Sequence, residues 1–99
     1  MASIYYSPEA EKDLEGVFAY LREHSENAVM RLAESIDQRT AILAANPGIG
    51  RDRSDLIEGL RSSAIEKFVL FFRLKGTTLE IVRLLHGARD IDSIFHQLY

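Results

Sequence analysis

Residues 68–85 read FVLFFRLKGTTLEIVRLL, and this stretch decides the fold. Residues 68–74 are apolar at odd and even positions alike, which predicts a central strand. Lys75-Gly76 is a turn signal, and residues 78–85 are again rich in β-branched and aliphatic side chains. Together they predict a β-hairpin. Working outward, residues 60–66 (LRSSAIE) read as a weaker strand just before the hairpin. Residues 3–7 (SIYYS) read as a short strand at the start of the chain.

Between the first strand and the others lie two helical segments. Ser7 caps the first, Pro8 suits its first position, and Glu9 and Glu11 favour the positive end of its dipole. Ala10, Leu14, Val17, Phe18 and Leu21 recur at helical spacing and define an apolar face. Lys12, Asp13, Glu15, Arg22 and Glu23 read as mostly off that face. The phase breaks at His24-Ser25, where Ser25 caps a second helix beginning at Glu26. Its stripe is Val29, Leu32, Ala33, Ile36, Leu43 and Ala44, and Asn46-Pro47-Gly48 ends it. So short a link folds the two helices back as an antiparallel hairpin.

Residues 46–59 are a loop by every local rule, with one Pro, three Gly and three Asp or Asn. A crossover from helix to sheet edge is its simplest reading, and a functional loop is the other. Asp90 caps a short C-terminal helix with Ile91, Ile94, Phe95 and Leu98 on one face. The order β-α-α-β-β-β plus a short helix segregates helices from strands. It predicts a single α+β domain over residues 1–99, with the helical hairpin on one face of a mostly antiparallel sheet. No internal repeat or low-complexity tract interrupts it.

The 99 residues contain no cysteine, which excludes a disulfide scaffold, a cysteine nucleophile and thiolate metal sites. With 46% hydrophobic residues the chain can build a core by packing alone. No apolar run reaches the roughly 18 residues of a membrane span. MASIYYSPEAEKDL lacks a basic-then-apolar signal pattern, so the expectation is a cytoplasmic protein without membrane contact. The net charge of −3 argues against a generic nucleic-acid binder. That charge is uneven: residues 1–46 hold four Lys or Arg against eight Asp or Glu, and residues 47–99 hold eight against seven.

Phosphate-loop, dinucleotide-glycine and GxSxG patterns are all lacking. His24, His86 and His96 have no paired ligand spacing, and neither a metal nor another cofactor is expected. Glu9, Glu11, Asp13 and Glu15 read as a solvated helix face rather than an acid–base pair. What remains is a set of arginines. Arg61 opens the first strand after the loop, Arg73 and Arg83 lie within apolar strands, and Arg89 follows in Leu85-His86-Gly87-Ala88-Arg89-Asp90. Period-2 alternation places Arg73 with Val69 and Phe71, and Arg83 with Leu79, Ile81 and Leu85. A charge in an apolar strand needs a partner or water. Asp90, Glu66 or Glu80 could pair with Arg73 and Arg83. Alternatively, the arginines form a cationic surface on the sheet face left open by the helices.

Several stretches, in order, carry a resemblance. They are Ser7-Pro8-Glu9-Ala10-Glu11-Lys12-Asp13-Leu14, Asn46-Pro47-Gly48-Ile49-Gly50-Arg51, Gly59-Leu60-Arg61-Ser62, Phe71-Phe72-Arg73 and Ile81-Val82-Arg83-Leu84-Leu85-His86-Gly87-Ala88-Arg89-Asp90. The chain resembles the ParE branch of the RelE/ParE superfamily, toxins of bacterial type II toxin–antitoxin modules, often called plasmid stabilisation proteins. The resemblance spans nearly the whole chain and implies the same element order as the residues do.

RelE-type members cleave messenger RNA on the ribosome, whereas ParE-type members inhibit DNA gyrase and block replication. The ribonucleases carry a catalytic arginine early in the strand matching residues 68–74, and that place is Val69 here. They tend to end with a tyrosine six residues beyond the arginine matching Arg89, and that place is Phe95. Valine and phenylalanine supply neither proton transfer nor charge stabilisation. Tyr99 could substitute only if the last helix bent it back.

The resemblance therefore implies a gyrase inhibitor without catalysis, acting on DNA gyrase or its relative topoisomerase IV. It also implies a hetero-oligomer with a ParD-like antitoxin, and no direct specific nucleic-acid binding. Arg61, Arg73, Arg83, His86 and Arg89 are the candidates for target contact. Phe18 and Tyr20 are candidates for an antitoxin groove on the helical hairpin. The alternatives are a RelE-like ribonuclease with a rearranged site and a non-toxic module that only binds antitoxin.

Overall fold

The computed structural model describes residues 2–98, apart from the side chain of Leu98. In chain order the elements are β1 (Ser3–Tyr6), α1 (Pro8–Arg22), α2 (Glu26–Ala45), β2 (Arg51–Asp52), β3 (Arg61–Ile65), β4 (Phe68–Lys75), β5 (Thr78–His86) and α3 (Ile91–Leu98). Each helix starts where its capping residue stands. Ser7 Oγ accepts from the Ala10 N–H at 3.0 Å, and Ser25 Oγ from the Ala28 N–H at 3.2 Å. Asp90 accepts from both the amide and the hydroxyl of Ser93, and those bonds hold its carboxyl below the usual value of 3.8. Only β2 was unforeseen, a two-residue strand inside the segment expected to be all loop.

The sheet runs β1-β5-β4-β3-β2, with β1 parallel to β5 and every other pair antiparallel. One irregularity organises it. Phe71 pairs with Arg83 and Phe72 with Ile81, so Val82 has no register partner. A bulge of this kind turns the alternation over. Leu79 and Ile81 point toward α1 and α2, while Val82 and Leu85 join the opposite core. The expected single face holding Leu79, Ile81, Arg83 and Leu85 is therefore broken at the bulge.

The first core lies between the sheet and the helical hairpin. It is built on Leu32, Ile36 and Leu43 of α2 against Leu70, Phe72, Leu79, Ile81 and Leu84. From α1 only Ala10 is fully buried; Leu14, Val17, Phe18 and Leu21 are partly covered. The second core overturns the expectation of an open sheet face. Phe71, Val82 and Leu85 meet Phe95 of α3, and Leu60 with Leu56 and Ile57 closes the side. The 46–59 segment thus covers apolar surface, which its Pro, Gly and Asp content could not reveal. Arg53 pairs with Asp55 at 3.0 Å and Asp52 accepts from Ser54, while the Arg53 carbonyl accepts from the Leu56 N–H and the Arg53 N–H donates to the Leu60 carbonyl, closing the loop.

Gly50 shows how tightly the loop is set. A Cβ there would lie 2.6 Å from Cζ of the buried Phe72 and 3.1 Å from the Ser62 carbonyl. Gly50→Ala is expected to destabilise by about 1–3 kcal/mol through overpacking. Thermal denaturation checks this, and an unchanged melting temperature would refute it.

Candidate functional site

The expected site arginines have separate fates. Arg83 is 8% exposed. Its Nε and Nη2 donate to Asp13 of α1 at 2.7 and 2.9 Å in a forked pair. Asp13 also accepts from the Leu84 N–H at 3.0 Å, and Ser7 Oγ donates to the Val82 carbonyl at 2.8 Å. Two polar side chains near the start of α1 thus satisfy backbone groups around the bulge. This corrects two expectations. Arg83 pairs with Asp13 rather than with Glu66, Glu80 or Asp90, and Asp13 does not lie on a solvated helix face. The missed signal was helical spacing: Asp13 falls three residues after Ala10 and four before Val17, within the apolar stripe.

Arg73 behaves as one structural alternative anticipated. It stands opposite Glu80 in register and donates to it at 2.6 Å, with side-chain exposures of 25% and 13%. Arg61 donates to the Gly50 carbonyl at 2.9 Å and so ties β3 to the loop. These three arginines therefore hold the fold together and do not form one open cationic face.

His86 and Arg89 are exposed. They sit in a turn held by Gly87 N–H to Lys67 O at 2.9 Å and Arg89 N–H to His86 O at 3.0 Å. Nδ1 of His86 accepts from the Ala88 N–H, which leaves the ring proton on Nε2 of the neutral form. Its ring meets Phe68 edge-on at 5.6 Å. Both residues line a hollow of about 250 Å³ with Lys12 and Asp13. A larger hollow of about 460 Å³ adjoins it through Phe68 and His86, and adds Tyr20, Arg31 and Lys67.

Phe18 and Tyr20, expected to share a groove, are separated. Phe18 lines an apolar hollow of about 270 Å³ with Tyr6, Leu14, Ala33, Ile36 and Asp37. Tyr20 is 63% exposed, meets the tilted ring of His24 at 4.7 Å and lines the larger hollow instead. A two-residue offset on a helix turns the side chain by about 200°, which is why the pair parts. Burial pushes the Tyr6 hydroxyl above its ordinary value, so it stays protonated beside the Phe18 hollow. Among the described residues no helix is long and apolar enough to cross a membrane, and no group of three His, Asp or Glu is placed to hold a metal ion.

Comparison with known proteins puts this geometry in a family. The model of the ParE toxin of the type II toxin–antitoxin system parDE matches residues 4–91. The chain belongs to the ParE toxin family. Toxin ParE3 of Caulobacter vibrioides is 35% identical over 83 residues, covering 80% of each chain. A solved chromosomal ParDE toxin–antitoxin system from P. aeruginosa superposes with a TM-score of 0.68 and 25% identity, over 87% of this chain and 96% of that one. The isolated E. coli RelE toxin shares the fold at a TM-score of 0.63 and 10% identity, over 99% and 98%.

Within the ParE family frame, the two places where ribonuclease relatives were expected to differ acquire a structural meaning. Val69 packs against the second core. Phe95 is 2% exposed and meets Phe71 edge-on at 4.9 Å. Both places serve packing in this ParE-family chain. Tyr99, the remaining alternative, lies outside the described residues.

Proposed function

We propose that this ParE-family toxin inhibits DNA gyrase or topoisomerase IV by binding, without catalysis of its own, and that a ParD-like antitoxin neutralises it. One observation carries the non-catalytic reading: Val69 and Phe95 are packing hydrocarbons. Cleaving RNA needs a proton-transfer group and charge on the phosphate, and neither side chain provides them. The apolar hollow around Phe18 suits an apolar helix of the antitoxin, docked across α1 and α2. The solved P. aeruginosa relative is itself a ParDE toxin–antitoxin system. Of the five candidate target residues, His86 and Arg89 are exposed and share one hollow, which makes them the preferred target contacts.

Purified protein should inhibit supercoiling by gyrase, or decatenation by topoisomerase IV, and leave ribosome-bound messenger RNA intact. Arg89→Glu should weaken inhibition by about tenfold, the equivalent of ~1.4 kcal/mol, at an unchanged melting temperature. Cleavage of the messenger with both topoisomerases unaffected would instead establish a ribonuclease. Unimpaired growth on expression without antitoxin would establish a non-toxic binding module.

A further inference from the structure

The larger hollow lies where the turn between α1 and α2 faces the turn between β3 and β4. Its floor is aliphatic and aromatic, made by Leu21, Ala28, Leu32 and Phe68, and Tyr20 stands at its rim. Its volume of about 460 Å³ falls within the ~300–1,000 Å³ of pockets that bury ligand groups. The Tyr20 ring lies against His24 at a centroid distance of 4.7 Å.

Charge at this end of the molecule runs against the whole. The chain carries −3, yet Arg31 and Lys67 line this hollow, and Lys12 and Arg89 line its neighbour across the shared Phe68 and His86. Of the two carboxylates in these linings, Asp13 is neutralised by Arg83. The other, Glu66, receives the Ser35 hydroxyl at 3.4 Å. A continuous phosphate backbone offers no apolar group to the floor of Leu21, Leu32 and Phe68. A peptide, which carries apolar and charged groups side by side, matches a surface with an apolar floor and cations around it. The Phe18 hollow is separate and has Asp37 among its lining residues, so the two hollows suit different occupants.

We propose that the cleft between the α1–α2 turn and the β3–β4 turn receives an acidic peptide segment of the toxin's protein target, anchored by one bulky apolar side chain. The anchor enters over Leu32 and Phe68, and its flanking carboxylates pair with Arg31 and Lys67. This rests on the topoisomerase reading above and adds to it the place and chemistry of target contact.

Two variants test it in the full-length protein. Ala28→Trp fills the cleft, and Arg31→Glu with Lys67→Glu reverses charge at two exposed positions, where folding is little affected. Each should lose about tenfold or more in inhibition of gyrase or topoisomerase IV, as expected for anchor contacts. Each should melt like the parent and still form the complex with a ParD-like antitoxin. Parental inhibition by the charge-reversed protein would overturn the proposal. So would an equal loss of antitoxin binding, which would give the cleft to the antitoxin. Binding of a single-stranded oligonucleotide that is abolished by the charge reversal would give it to nucleic acid. Failure of the unaltered protein to inhibit either topoisomerase would show up in the parental control and overturn the underlying reading itself.

Discussion

Asp13→Ala is expected to destabilise the protein by about 3–5 kcal/mol, because it takes from the buried Arg83 guanidinium the carboxylate that accepts from its Nε and Nη2. Arg83 and Asp13 have side-chain exposures of only 10% and 13%, so solvent screens the pair weakly. The same change deprives the Leu84 N–H of its acceptor beside the bulge. For a domain of this size the melting temperature should fall by about 12 °C or more. Arg83→Ala should fall comparably, with toxicity and antitoxin binding lost together, as expected of a side chain that is buried and joins β5 to α1. Combining Asp13→Leu with Arg83→Met removes both charges at once and should melt well above either alanine variant. A drop of less than about 2 °C for Asp13→Ala would mean that the pair contributes little.

Phe95→Ala is the second large effect. Phe95 fills the centre of the second core against Phe71, and its truncation should cost about 3–5 kcal/mol. A helix of eight residues does not persist in water without such an anchor. Amides of α3 should therefore exchange with solvent much faster than in the parent, and Phe71 and Leu85 should become exposed. Retained protection of α3 at a parental melting temperature would contradict this. Phe95→Tyr provides the chemical control. It restores the residue type expected in the ribonuclease relatives, yet Val69 remains a packing residue, so messenger RNA should stay intact.

Both predictions depend on features that were partly legible. The caps at Ser7, Ser25 and Asp90 are local events, set by a side chain and an amide three residues away, so they could be read directly. The hairpin of β4 and β5 was equally readable from its apolar runs and the Lys75-Gly76 turn. The Arg73–Glu80 pair was among the anticipated ones, and the antiparallel register of the hairpin sets the two residues opposite each other. Asp13 was placed on the wrong side of α1 although its spacing put it in the apolar stripe.

Other features had no local signature. The bulge at Val82 changes which face Leu85 occupies, and nothing in Ile81-Val82-Arg83-Leu84-Leu85 marks it. Its backbone groups are instead answered by Ser7 and Asp13, some 70 residues earlier. The second core likewise joins Leu56 and Ile57 of a polar loop to Phe95 of the last helix. The separation of Phe18 from Tyr20 and the meeting of Tyr20, Arg31, Lys67 and His86 around one cleft are also products of assembly.

The amino-acid sequence by itself determined the order of every element but β2, the helix caps, the central hairpin and the hydrocarbon character of positions 69 and 95. All of these follow from neighbours within a few residues. Only the tertiary structure decided which carboxylates and carbonyls the arginines meet, and that both sheet faces are covered. A buried charge is settled by whatever carboxylate folding brings to it, and for Arg83 that carboxylate came from the opposite end of the chain.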